Sequence, residues 1–407
     1  MHVLFVAPTL SSNTVHVLKC LVELEGVRLG VITHAPVERL PSFLRGRLTG
    51  HYRVENALEP SQLVAAVRAF QAELGRVDRL LGFLEHLQVP LAIARDATGV
   101  PGMTESTARN FRDKNRMKEI LRQHGLPVAR QQLVHDLADA RAFVREVGFP
   151  IVLKPVHGVG SVATVKVSDE SELVSALARL GPSVQQPLQA EEYITGEERS
   201  FETVVIDGRP VFASMTRYVN HPLEILETPW MQWCVLLPRE GLDDAGQRFL
   251  PINVAALRAL GLDTGLAHME WFVRPDGRPV ISEVGARPPG ASFMTMLGHA
   301  HGADAWERWV RLSVYGEWTP MPPRAYAVGI AYLRAQGPGR RITSITGLEE
   351  AQASVGEFVV DRRLPEVGAA RADSYEGDGW ALLRHPSSAV VTEALLSIVA
   401  TVRVRAD

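Results

Sequence analysis

Residues 268–290, HMEWFVRPDGRPVISEVGARPPG, constrain the fold more than any other stretch, because they read as two strands joined tightly enough to pair antiparallel. Glu270 lies in an apolar run with Met269, Trp271, Phe272 and Val273. A turn follows at Pro275, Asp276 and Gly277, and Glu283 ends a second run of Pro279, Val280 and Ile281. The hairpin therefore carries one glutamate per strand. Arg287 follows four residues after Glu283, and Pro288, Pro289 and Gly290 forbid a regular element there, so its guanidinium sits on a loop beside the carboxylates. Two acids and a fixed cation suit magnesium and phosphate, although a surface hairpin with a salt bridge is written in the same letters.

The first hundred residues ask for the other kind of sheet. Strand-like runs at 3–7, 28–33 and 77–82 alternate with helix-like runs at 15–25, at 61–74 and before Gly99, which predicts an open, mostly parallel α/β layer. Only APTLSSN follows the first strand, so a GxGxxG dinucleotide fingerprint is excluded and the layer is left a share of a substrate cleft. Val100, Pro101 and Gly102 mark a boundary, after which one helix is expected to run to about His124. Alternation resumes with strands at 128–134, 150–154, 163–167 and 184–193 and helices at 137–147 and 170–180.

A chain of 407 residues can hold two or three domains. With 46% hydrophobic residues and no apolar run near the ~20 residues that span a bilayer, it reads as a non-membrane protein, and MHVLFVAPTL reads as a strand rather than a signal peptide, so the cytoplasm is expected. The net charge of -3 gives no footprint for nucleic acid. Arg39, Arg45, Arg47, His51 and Arg53 read as a solvated loop, and Cys20 and Cys234, without metal-ligand spacing, as core residues.

Three further motifs bear on chemistry. Lys154 closes an apolar strand and opens KPVHGVGSVAT, where glycines let backbone N–H groups approach phosphate oxygens and the lysine adds a point charge. It is no Walker A loop, since no Gly-Lys-Ser/Thr ends it. Lys114, in RDKNRMKEIL, by itself looks like an ordinary helical lysine. In QAEEYITGEERSFETVV a strand ending at Glu191, Glu192, Tyr193 and Ile194 breaks at Gly196 and resumes with Glu198 close by, a hinge able to offer backbone groups to a flat heterocycle and a carboxylate to sugar hydroxyls.

Together, Lys114, the Lys154 strand end with its glycine loop, the E-x-x-x-x-G-x-E hinge and the Glu270/Glu283 pair resemble the ATP-grasp superfamily in identity, order and spacing, over residues 1 to about 320. The hinge is similar to that of D-alanine:D-alanine ligases, and ISEVGARPPG looks most like amino-acid (dipeptide) ligases. The resemblance implies a pre-ATP-grasp α/β domain at 1–103. It implies an α+β ATP-grasp fold at 104–320, with a smaller lobe (104–193, glycine loop) and a larger lobe (194–320, metal site) clamping ATP. A small α+β C-terminal domain at 321–407 would cover the cleft, form a homodimer contact or serve as support alone.

It also implies residue roles. Lys114 and Lys154 would contact the nucleotide phosphates, with Gly158, Gly160 and Ser161 closing over them. Glu191, Glu192 and the backbone near Ile194 would hold adenine, and Glu198 ribose. Glu270 and Glu283 would bind magnesium, with manganese able to replace it, and Arg287 would steady the substrate carboxylate. One departure stands out: where many members have E-x-N-x-R, this chain has Gly285, which cannot ligate through a side chain.

The implied chemistry is amide formation. A small acid's carboxylate takes the γ-phosphoryl group of ATP, and an amine attacks the resulting acyl phosphate while a closed lid excludes water. His268 would orient substrate or take the amine's proton, or else be a satisfied strand histidine. Trp230, Met231 and Trp233, in a stretch with Pro222 and Pro229, would line a pocket for an apolar side chain or anchor their segment. Rival readings are a carboxylase or small-molecule kinase of the same fold, and a nucleotide-binding regulator without turnover.

Overall fold

The computed structural model describes residues 1–156, 164–219, 231–372, 374 and 376–407. Gly158, Gly160, Ser161, Pro222, Pro229 and Trp230 lie outside the described residues. Among the described residues no helix is long and apolar enough to cross a membrane.

The N-terminal layer contains β1 (His2–Ala7), β2 (Arg28–Thr33), β3 (Leu48–Arg53) and β4 (Arg79–Leu81), all parallel, in the order β3-β2-β1-β4. β3 is a correction, since His51 and Arg53 belong to this edge strand rather than to a loop. Its alternation is hidden because every residue but Arg53 is half-buried. The order reverses at β1, so the loops after β1 and β4 open a crevice at the carboxyl ends of the strands, the place where such sheets bind ligands.

The smaller lobe is an antiparallel sheet of β5 (Gln131–Val134), β6 (Ile151–Pro155), β7 (Val165–Val167) and β8 (Leu188–Glu192), ordered β5-β8-β6-β7. Side chains alternate along a strand. Ile151 and Leu153 of β6, with Leu188 and Ala190 of β8, therefore pack on helices Leu137–Val147 and Glu170–Leu180, while Val152, Lys154 and Glu191 face the other way.

The larger lobe holds β9 (Glu197–Ile206), β10 (Arg209–Tyr218), β11 (Trp233–Leu237), β12 (Gly265–Val273) and β13 (Pro279–Gly285). The C-terminal segment adds β14 (Ala327–Leu333), β15 (Ser344–Thr346), β16 (Val359–Arg363), β17 (Gly379–His385) and β18 (Arg403–Arg405). Three of these do not form a sheet of their own: one antiparallel sheet runs β13-β12-β9-β10-β11-β14-β17-β16, and only β15 and β18 pair apart. Among the described residues β11 pairs with β10 at two positions and with β14 at five. A single core accordingly joins β1, the helices Phe293–His301 and Ala305–Tyr315, β11, β14 and β17, whereas the smaller lobe has a core to itself.

The helix expected up to His124 is two, Glu105–Arg112 and Lys114–Gln123. Asp113 is extended, and its carboxylate accepts the Arg116 N–H at 2.9 Å, capping the second helix at the residue before Lys114.

Candidate active site

A cavity of about 470 Å³ lies between the two lobes and the N-terminal layer. The cap at Asp113 decides one of its walls. It starts a new helix at Lys114, and Lys118 falls one turn later on the same face, so both lysines are buried, Lys114 lining the cavity and Lys118 set against Glu191. Lys114 Nζ makes an ion pair with Glu283. Lys118 Nζ lies 2.6 Å from Glu191, whose carboxylate also takes Lys154 Nζ at 2.8 Å. Burial alone would raise Glu191, but the two ammonium groups overcome it and hold the carboxyl down at about 2. Burial pulls Lys118 down to about 8 against the pull of Glu191, and Lys154 stays above its ordinary value despite burial because Glu191 and Glu283 face it. Lys118 was missed in the sequence, where its spacing of four from Lys114 was the available signal.

The hairpin is as read: β12 and β13 pair antiparallel, Glu270 stands opposite Glu283, and a register shift follows Glu270. Met269 and Trp271 point into the core beneath helix Asp244–Leu260, which leaves His268, Glu270 and Phe272 on the cavity side. Glu198 of β9 is buried nearby. Burial and the charge of Glu270 push its carboxyl well above the usual range. Glu270 and Glu283 face each other across the hairpin and offer hard oxygens to the cavity, so these carboxylates fit a divalent cation.

His268 lies between two carboxylates, with Nδ1 3.0 Å from Glu202 and Nε2 3.5 Å from Glu270. Burial works against the charged ring, but the hydrogen bonds to Glu202 and Glu270 raise it to about 9. The ring is held between the two carboxylates, a placement that suits fixing Glu270. Glu202, fully buried in mid-strand and itself bonded by Ser200 Oγ (2.8 Å), is a second group the sequence reading missed.

At the hinge, Ile194 packs with Ala129, Phe272 and Val280 in a small apolar cluster, and Val152 faces it from the smaller lobe. This makes a slot for a flat ring. Glu192, expected to touch that ring, gives its carboxylate to Arg130 and Arg274, both at 3.1 Å, which leaves the backbone beside it for the ring.

The far end of the cavity draws on remote parts of the chain. Ser11 and Asn13 after β1, and Phe83 to His86 after β4, bring in the crevice of the N-terminal layer. Arg287 is on the loop as expected, with Nε against Glu85, and Glu85 also accepts from Arg112 Nη1 at 3.1 Å. Gly285 lies beside this pair: a methyl group there would stand in ordinary contact, 3.4 Å from Glu85 Oε2 and 3.7 Å from Arg287 Cγ. Ala291 and Ser292, at φ 49° and 63°, then turn the chain into helix Phe293–His301, a costly backbone for residues with a Cβ, secured by the Tyr332 hydroxyl donating to the Ala291 carbonyl. Phe83 and Trp306 meet at 5.0 Å between ring centroids, and Phe293 packs edge-on to His268 at 5.6 Å. The indole N–H of Trp306 has no hydrogen-bond partner among the described residues. Trp233, weighed as a pocket wall or an anchor, is fully buried and stacks on Tyr332 at 4.2 Å, so it anchors.

Comparison with known proteins agrees with this geometry. Residues 111–221 match the RimK-like ATP-grasp domain. The L-arginine-specific L-amino acid ligase of Bacillus subtilis is 25% identical over 60% of this chain and 59% of its own length, so the chain spans about three-fifths of that relative. The crystal structure of an L-amino acid ligase from Bacillus licheniformis superposes with a TM-score of 0.77 at 21% identity, covering 100% of this chain and 98% of that one. N5-carboxyaminoimidazole ribonucleotide synthetase from Thermotoga maritima gives a TM-score of 0.70 at 17% identity, covering 100% and 99%. The lysine pairs, the hinge and the facing glutamates thus accompany a RimK-like ATP-grasp domain at residues 111–221, in a chain that is similar to proteins named as amino acid ligases and shares their fold.

Proposed function

We propose that the chain is an ATP-dependent, ADP-forming ligase that joins the carboxylate of a small acid, an amino acid, to an amine through an acyl phosphate. The observation that carries this reading is one cavity with buried lysines and facing glutamates at one end and a loop arginine beside an aromatic wall at the other. Its relatives named as amino acid ligases support it.

Lys114, Lys118 and Lys154 would meet the phosphates, with Glu191 keeping Lys118 and Lys154 in position. The slot at Ile194, Phe272 and Val152 would take adenine, and Glu198 the ribose hydroxyls. Glu270 and Glu283 would hold magnesium, which when bound would screen the repulsion between the γ-phosphate and an incoming carboxylate. Arg287 would orient that carboxylate, and Glu85, which already fixes the guanidinium, would keep it from swinging to the phosphates. His268 would act as a positioning group for Glu270. We further propose that the smaller lobe is a unit of its own, that 1–103 forms a layer packed onto the larger lobe, and that 321–407 works as a continuation of the larger lobe.

The test is ADP release with ATP, magnesium and single or paired amino acids, with mass spectrometry of the products. An amide formed with one ADP per bond is expected. ATP binding without turnover on any acid would sink the proposal in favour of a regulator, and a stable phosphorylated product without an amide would point to a kinase.

A further inference from the structure

Away from the cavity, donors from distant parts of the chain converge on the surface. Helix Ser12–Glu23 presents His16 and Cys20 one turn apart. Asp304 caps helix Ala305–Tyr315 with Oδ1, which accepts the N–H groups of Trp306 and Glu307 at 2.9 and 3.1 Å, and this turns Oδ2 toward His16 Nε2 at 2.7 Å. Cys20 Sγ is 3.8 Å from the same imidazole nitrogen, and the three donor atoms lie within 4.8 Å of one another. We propose that His16, Cys20 and Asp304 form a binding site for a thiophilic divalent cation, zinc(II) before all others.

The distances carry the assignment. Tetrahedral zinc, with bonds of about 2.3 Å to sulfur and about 2.0 Å to nitrogen, sets those two donors about 3.6 Å apart. The observed 3.8 Å is already at that spacing. The imidazole and carboxylate must separate from 2.7 Å to about 3.3 Å for the same geometry, a small movement for side chains 42% and 39% exposed. That exposure also lets water take the fourth position. A plain ion pair would need only His16 and Asp304; the thiol beside them changes the chemistry. A sulfur, nitrogen and oxygen set selects zinc over magnesium, which prefers an all-oxygen shell such as that of Glu270 and Glu283. Burial pushes the Cys20 thiol up to about 12, with Asp304, Glu23 and Glu307 adding to the rise and Lys19 opposing, so the ion would have to displace the thiol proton as it binds. The cysteine, read from the sequence as lacking ligand spacing, gains its partner from a residue 288 positions beyond His16.

The site joins two elements that wall the far end of the cavity. Ser11 and Asn13 sit at the start of the helix that carries His16 and Cys20, and Trp306 follows Asp304 by two residues. A bound ion therefore fixes the distance between these walls without touching the reacting atoms.

Cobalt(II), a spectroscopic stand-in for zinc, tests the site on the full chain after treatment with a chelator. One equivalent of cobalt should give the near-ultraviolet charge-transfer band of a cobalt thiolate, displaced by zinc. Cys20→Ser should abolish the band. His16→Ala and Asp304→Asn should each weaken binding by at least about tenfold, since even changes around a ligand cost that much. Glu283→Gln should leave the band unchanged, which separates this site from the proposed magnesium site whether or not the ligase reading holds. Thermal melts of each variant without metal show that it folds. No band in the unaltered protein, or a band that survives Cys20→Ser, overturns the proposal.

Discussion

The two ends of the cavity solve different problems with different materials. At the lysine end, Lys114, Lys118, Lys154, Glu191 and Glu283 neutralise one another inside the protein, on strands and a helix that lie close together. At the far end, Phe83, Phe293 and Trp306 form an aromatic wall with Arg287 and Glu85 at its edge, brought together from segments more than two hundred positions apart. The first end is organised by charge that must be kept paired when buried. The second is organised by shape, so its residues can change the choice of substrate while leaving the phosphate chemistry in place.

Substitutions can break that contrast. Glu283→Gln should cost the most, about a thousandfold or more in ADP release, because it removes a carboxylate aimed at the reacting phosphate and the partner of Lys114. Lys118→Met should follow. It leaves Glu191 with one lysine, and breaking a buried pair costs about 3–5 kcal/mol. Part of that loss should show as a lower Tm and part as a higher KM for ATP, with the KM for the acid unmoved; a change confined to the acid would erase the division between the ends. Trp306→Phe should have the reverse signature, raising the KM for the acid by up to about tenfold through the lost area of the aromatic wall and leaving that for ATP alone.

The smallest effect expected is on acid stability. Glu191 at about 2 lies below its ordinary 4.5, so its contribution is full above pH 4.5 and is lost as pH falls toward 2. Chemical denaturation across that window should show a shallower pH slope for Glu191→Gln than for the unaltered chain.

What could be read in advance follows the same contrast. The hairpin, the strand-end Lys154 and the hinge are local patterns, and the tight turn alone puts Glu270 and Glu283 on neighbouring strands. Lys118 was within reach, since a second lysine four residues after Lys114 shares its face, but composition alone makes it look like a solvated side chain. Glu202 hides in the middle of an apolar strand. Glu85 could not be found, because its importance comes from Arg112 and Arg287, which approach it only in the folded chain. Helices Asp244–Leu260 and Phe293–His301 escaped for another reason. In Phe293–His301, apolar residues occupy most positions and blur the helical stripe. Asp304 with Glu307 three residues later was an available capping signal for Ala305–Tyr315 that the sequence reading passed over.

The long sheet also bears on how the protein can be cut and recombined. β11 is buried along its whole length and, among the described residues, registers with more positions of β14 than of β10. Ending the chain near residue 320 would strip that strand of the partner it registers with at five positions and leave an apolar, hydrogen-bond-hungry edge ready to join other chains. The proline-rich stretch before β14 looks like a place to separate modules, yet a shortened protein ending there should precipitate rather than act. Exchange of lobes between such enzymes would have to carry the final eighty or so residues along as part of the larger lobe, whereas the smaller lobe, with its separate core, is the piece that can travel alone.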